Sequence, residues 1–158
     1  MTQTSGKTVA DSRSEMTQLV LPNDTNMLGN LLGGTLMHWI DLIGAIVANR
    51  HCREPIVTAS MERIDFINPI PLGHLVILKG SIQYTGHSAM EVKVLVFSED
   101  TLTGKRTQAS NAILTYVAVS QEGKPVSVPE LILSTAAEKK SYREACARKK
   151  KRLADHST

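Results

Sequence analysis

Residues 35–48 (TLMHWIDLIGAIVA) form an apolar run in which His38 and Asp41 are the strongly polar side chains. Leu36, Met37, Trp39, Ile40, Leu42, Ile43, Ile46 and Val47 fall on nearly every side of a helix turning 100° per residue. A helix that is apolar all round has to be wrapped by other parts of the protein. It is too short, and too polar at its ends, to cross a bilayer. With 158 residues the chain is one domain in size. The wrapper must therefore come from the strand-like segments on either side of the run.

The loop before the helix is polar and carries Asn23, Asp24, Asn26, Gly29, Asn30, Gly33 and Gly34. Thr35 is the expected N-cap, and Gly33-Gly34 lets the chain turn tightly and leaves its backbone approachable. The first N–H groups of a helix have no internal partner and carry partial positive charge. Left unblocked, they stabilise an anion or a polarised carbonyl. Along the helix, His38, Asp41, Ala45 and Asn49 line up as a thin polar seam. Two readings of the seam stand: it is the wet edge of the helix, or it faces a cleft in which Asp41 acts as general base or nucleophile.

Around this centre the chain reads as strands. Residues 15–21 (EMTQLVL) have strand character and end at Pro22. Residues 56–66, 75–85, 88–98 and 106–119 are long, rich in β-branched residues and separated by turn chemistry. In the first of these, Thr58, Ser60 and Glu62 are expected to share one face. Gly80 inside the second marks a bulge or a close approach. The expected order is strand, helix, then four long antiparallel strands in a meander. One curved sheet of about five strands around one helix is the outline of an α+β hotdog fold. Apolar residues on both sheet faces suggest oligomer contacts.

Residues 1–13 are small and polar and are expected to be a flexible tail. Residues 14–130 form the domain. Residues 131–158 read as a basic helical extension rich in Ala, Glu, Lys and Arg, with Glu144 and Arg148 at ion-pair spacing. Its five consecutive basic residues, 148–152, are read first as a solvated tail, and otherwise as a contact for a polyphosphate ligand.

Several function classes drop out. Aromatics make up 4% of the chain, too few for a base-stacking surface, so no nucleic-acid partner is expected. No metal is expected, because Cys52 and Cys146 have neither metal nor redox spacing and His38 has no metal-spaced partners. The first fifteen residues lack an apolar core and no transmembrane run exists, so a cytoplasmic setting without a membrane partner is expected. There is no G-x-S-x-G elbow and no P-loop lysine spacing.

The ordered set Leu21-Pro22-Asn23-Asp24-Thr25-Asn26, Leu28-Gly29-Asn30, Gly33-Gly34, Leu36-Met37 and Trp39-Ile40-Asp41 resembles the hotdog-fold acyl-CoA thioesterases, closest to the cytosolic acyl-CoA hydrolase branch. The resemblance continues through Val57-Thr58-Ala59-Ser60, Asp65-Phe66, Pro69, Gly73 and Leu114-Thr115-Tyr116-Val117-Ala118. It implies cofactor-free hydrolysis of an acyl-CoA to a free acid and CoA, within fatty-acid metabolism. By position it makes Asp41 the general base or nucleophile, Asn26 the loop asparagine that works with it, and Thr58 a support for the reacting water. Gly33, Gly34 and Thr35 are then the backbone that meets the substrate. The resemblance also implies a dimer with shared active sites, in which Asn26 of one subunit faces Asp41 of the other, and a homohexamer built as a trimer of dimers. Two alternatives stay open: a non-catalytic acyl-CoA sensor, and a hydroxyacyl-thioester dehydratase using His38 with Asp41.

Overall fold

The computed structural model describes residues 5–156. In chain order the elements are β1 (Lys7–Thr8), α1 (Val9–Ser12), β2 (Ser14–Leu19), a 3-10 turn (Pro22–Asp24), α2 (Gly33–Cys52), β3 (Ile56–Phe66), β4 (Leu75–Thr85), β5 (Ala89–Glu99), β6 (Arg106–Ala118), β7 (Leu131–Ile132) and α3 (Ala136–His156). The main sheet is antiparallel with order β2-β4-β5-β6-β3, and α2 lies against one of its faces. This is the hotdog arrangement.

The sheet is not a simple meander. β4, β5 and β6 are joined by hairpin turns, but β3 pairs with β6 at the far edge, across the sheet from β4. The connection after β3 carries Pro69 and Pro71, and residues of this kind do not make the two-residue hairpin that would keep β3 beside β4. Instead the backbone of Asn30 and Leu31 meets this segment, at Pro71 and Ile70. The polar loop before α2 is therefore anchored at its far end.

The helix is buried on one side only. Ile40, Ile43, Gly44 and Val47 face the sheet, whereas Met37 and Leu42 are each 42% exposed. Exposed apolar side chains thus stand on the outer side of α2, a helix expected to be covered all round. Helix and sheet meet closely at Gly80, where an added Cβ would lie 2.8 Å from Val47 Cγ2. The strand shows no bulge at that point, so close approach is the reason for the glycine.

Two expectations about the chain's ends are corrected. Part of the expected tail is structured: β1 pairs with β7, and α1 has a capping box between Thr8 and Asp11. Residues 1–4 of that tail lie outside the described residues. The C-terminal extension forms the expected helix, capped by Thr135 and Glu138, but its basic run is not a solvated tail. α3 packs on the sheet face opposite α2. Arg148 binds Glu91, Arg152 binds Glu62, and Lys149 donates to Tyr84 Oη at 3.0 Å. Arg148 is thereby drawn away from Glu144, because Glu91 is only 2% exposed and a buried carboxylate needs a partner more than an exposed one does. Tyr84 and Tyr142 add a ring contact at 5.2 Å between centroids.

At the end of α2, His51 is fully buried. Its Nε2 lies 2.8 Å from the Pro129 carbonyl, which can only accept, so Nε2 carries the proton; Nδ1 has no partner among the described residues. Burial, the largest influence, holds this imidazole below its ordinary value of 6.5 despite the Pro129 bond. The unfolded chain therefore takes up a proton that the folded chain refuses. The contribution of His51 is complete above pH 6.5 and is lost as pH falls below it, through the lowered folded value. Urea unfolding at about pH 5.5 is expected to show a lower midpoint than at about pH 7.5, with a smaller difference in His51→Gln. An unchanged difference in that variant would assign the effect to other groups.

Candidate active site

Of the polar seam of α2, His38 and Asn49 are exposed, whereas Asp41 meets protein groups. Thr58 on β3 donates its hydroxyl to Asp41 Oδ1 at 2.9 Å. Tyr116 on β6 donates to the same oxygen at 3.0 Å and lies 2.9 Å from the Asp41 backbone carbonyl. Among the described residues, no hydrogen bond engages Asp41 Oδ2.

The register changes just after Thr58, which pairs with Tyr116. β3 and β6 slip between Thr58 and Ser60, and again between Met61 and Arg63. The first slip leaves Thr58 on the helix side, while Ser60 and Glu62 turn to the α3 side, where both Thr115 and Arg152 bind Glu62. The expected common face for Thr58, Ser60 and Glu62 is therefore split. Bulges increase local twist and re-aim side chains, and here one separates Ser60 from Thr58, which stays in register with Tyr116 beside the carboxylate.

Tyr116 was not picked out by sequence reasoning. It sits in an alternating strand, where an aromatic residue reads as core, and it is fully buried. Its signal was Gly44, an isolated glycine inside a helix, which usually has a packing reason. A Cβ at position 44 would lie 2.2 Å from the Tyr116 hydroxyl. Burial first, and then the negative charge and hydrogen bond of Asp41, push the Tyr116 phenol well above its ordinary range. The group stays protonated and remains a donor.

The N-terminus of α2 is open. The helix begins at Gly33, two residues before the expected cap at Thr35, and no side chain caps it from Leu32. The first backbone bond runs from Leu36 N to Leu32 O at 3.0 Å, so the N–H groups of Gly33, Gly34 and Thr35 precede it. A Cβ at Gly34 would meet nothing within 4 Å. Beside Gly33 a cavity of about 280 Å³ is lined by Leu31, Leu36, Phe66 and residues 67–70.

Asn26 stands apart from this cluster. Its Oδ1 accepts from Leu28 N at 2.9 Å and Asn30 N at 3.2 Å, which tightens the loop and leaves the Nδ2 end as the available donor. No hydrogen bond joins Asn26 to Asp41 or Thr58 among the described residues. His38 is exposed and makes no hydrogen bond to Asp41. The described residues contain no group of three or more His, Cys, Asp or Glu side chains able to hold a metal.

Residues 28–105 match the family model described as Thioesterase superfamily. YkhA of Bacillus subtilis, named as an uncharacterized acyl-CoA thioester hydrolase, is 44% identical over 81% of this chain and 74% of its own length. The chain belongs to the thioesterase superfamily. The rat cytosolic acyl coenzyme A thioester hydrolase is 39% identical over 89% of this chain, which spans 38% of that longer protein. Among solved structures, an apo-hexameric acyl-CoA thioesterase superposes with a TM-score of 0.92 at 41% identity, covering 96% of this chain and 97% of that one. The acyl-CoA hydrolase of Staphylococcus aureus, solved with butyryl coenzyme A and coenzyme A, gives 0.87 at 37% identity, covering 95% and 92%. The Staphylococcus aureus protein has also been solved with alanine replacing an asparagine, an aspartate and a threonine. Those three stand at the same sequence spacing as Asn26, Asp41 and Thr58 do here.

Proposed function

We propose that this superfamily member hydrolyses acyl-CoA thioesters to a free carboxylic acid and CoA, without a cofactor. The observation that carries the reading is Asp41: a half-buried carboxylate with one oxygen held by two O–H donors and the other free, on a helix whose N-terminus is open. A thioester carbonyl is already electrophilic. Asp41 takes a proton from a water molecule as its oxygen bonds to the carbonyl carbon, or attacks that carbon directly to give an anhydride that water then opens. The carbonyl oxygen becomes an oxyanion, for which the N–H groups of Gly33, Gly34 and Thr35 are suitable donors. Collapse breaks the C–S bond, and the CoA sulfur leaves as a thiolate that takes up a proton.

Asn26 fits this scheme from a second subunit. With Oδ1 committed to its own loop, Nδ2 is free to donate to the carbonyl or the water held at Asp41 of the partner subunit. The exposed apolar side of α2, with Met37, Leu42 and Ile46, and the exposed Val57 and Phe66 on the edge strand β3 support a dimer. The hexameric neighbour supports assembly as a trimer of such dimers. No helix among the described residues is long and apolar enough to cross a membrane. The cytosolic name of the rat relative supports a cytoplasmic place, and an acyl-CoA substrate would fit a role in the turnover of fatty acyl groups.

The test is thiol release from a panel of acyl-CoAs of rising chain length. Free CoA is expected, with a preferred chain length; none at any length would overturn the reading. Asn26→Asp keeps an acceptor for Leu28 N and Asn30 N but loses the amide donor, and Asn26→Ala loses both. Each is expected to lower kcat by about 100-fold. A fall in the alanine variant alone would make Asn26 a loop-forming residue only.

A further inference from the structure

Tyr116 belongs to none of the roles above, yet its hydroxyl lies on the carboxylate they all depend on. We infer that Tyr116 is a positioning residue for hydrolysis, which together with Thr58 fixes Asp41 Oδ1 and leaves Oδ2 as the reacting oxygen. This rests on the reading of Asp41 as the reacting group.

The geometry is specific. A carboxylate on a helix can swing about its last torsion, whose energy wells are broad. Two hydroxyls on one oxygen, from strands β3 and β6, remove that freedom. The strands are adjacent and Thr58 is the direct register partner of Tyr116, so the two donors are held as a rigid pair. The Tyr116 hydroxyl also contacts the Asp41 backbone carbonyl, which ties the ring to the helix as well as to the side chain. Because the phenol is buried, no solvent competes for its proton. Gly44 gives the hydroxyl the space it occupies, since any side chain there would meet it. A tyrosine serving only as core filler would need neither the glycine nor the carboxylate, and phenylalanine would serve as well.

Orienting contributions of this kind act on the reaction rather than on binding. Tyr116→Phe keeps the ring and deletes the hydroxyl. It is expected to lower kcat by about 10- to 100-fold with KM changed less than about twofold. Gly44→Ala displaces the hydroxyl without deleting it, and the same split between kcat and KM is expected. Thr58→Val should lower kcat as well. The double variant with Tyr116→Phe should deviate from the product of the single effects, because both donors act on one oxygen. Thermal unfolding of Tyr116→Phe separates a loss of fold from a loss of orientation. Wild-type kcat in Tyr116→Phe, or a rise in KM alone, would overturn this inference and leave hydrolysis standing. A wild-type protein that releases no thiol would overturn the hydrolysis reading, and the role of Tyr116 with it.

Discussion

Asp41→Asn is expected to abolish thiol release, by about 1,000-fold or more, with fold and assembly unchanged. The asparagine side chain is nearly isosteric with the carboxylate. Its amide oxygen can still accept from Thr58 and Tyr116 at the positions they hold now. The architecture of the site therefore survives the change, and the nitrogen that replaces Oδ2 can neither take a proton from water nor form an anhydride. That is why asparagine is the informative replacement: alanine would also take from Thr58 its acceptor and leave the Tyr116 hydroxyl only the backbone carbonyl of residue 41. Circular dichroism and sedimentation should match the wild type while the rate collapses. Retained turnover would remove Asp41 from the chemistry, and with it the case for the open helix N-terminus as an oxyanion site.

The second large effect is expected on stability, far from the chemistry. Glu91 is 2% exposed, its Oε1 is bound by Arg148, and its Oε2 has no partner among the described residues. Arg148→Ala would leave a buried carboxylate with nothing in place of the guanidinium. Breaking such a pair costs about 3–5 kcal/mol, and the lower end applies here because the arginine side chain is 33% exposed and water can reach it. Urea unfolding should show a correspondingly lower midpoint. Replacing both partners with apolar residues, Glu91→Leu with Arg148→Met, is expected to restore most of the loss, since the penalty comes from the stranded charge. An Arg148→Ala protein as stable as the wild type would mean that α3 is not held by this pair. Thiol release should persist in the variant, because α3 lies on the face opposite Asp41.

The contrast between these two sites explains what could be read in the chain. Asp41 was legible because a charged residue inside an apolar helix departs from its surroundings. Thr58 was legible only through resemblance, since alternation grouped it with Ser60 and Glu62; a register slip is a property of the pairing with β6 and leaves no mark in a period-two pattern. Tyr116 stayed hidden because a buried aromatic residue in an alternating strand reads as core whether or not its hydroxyl has a partner. The place of β3 at the far edge was obscured by the tendency of consecutive strands to pair, and the prolines that follow it were the available hint. The docking of α3 was missed for a different reason. A run of basic residues reads as solvated unless its partners are known, and Glu62 and Glu91 stand in other strands, 90 residues from Arg152 and 57 from Arg148.

Glycine in a helix interior costs about 1 kcal/mol relative to alanine, so a search for thermostable variants would turn early to position 44. The replacement would improve the helix as a helix. It would also press on the Tyr116 hydroxyl and loosen the grip on Asp41. In this fold the interior glycine of the central helix is also what leaves room for the hydroxyl that holds Asp41. Overpacking against the buried ring would offset the gain in helix stability, so durability would have to be sought elsewhere in the chain.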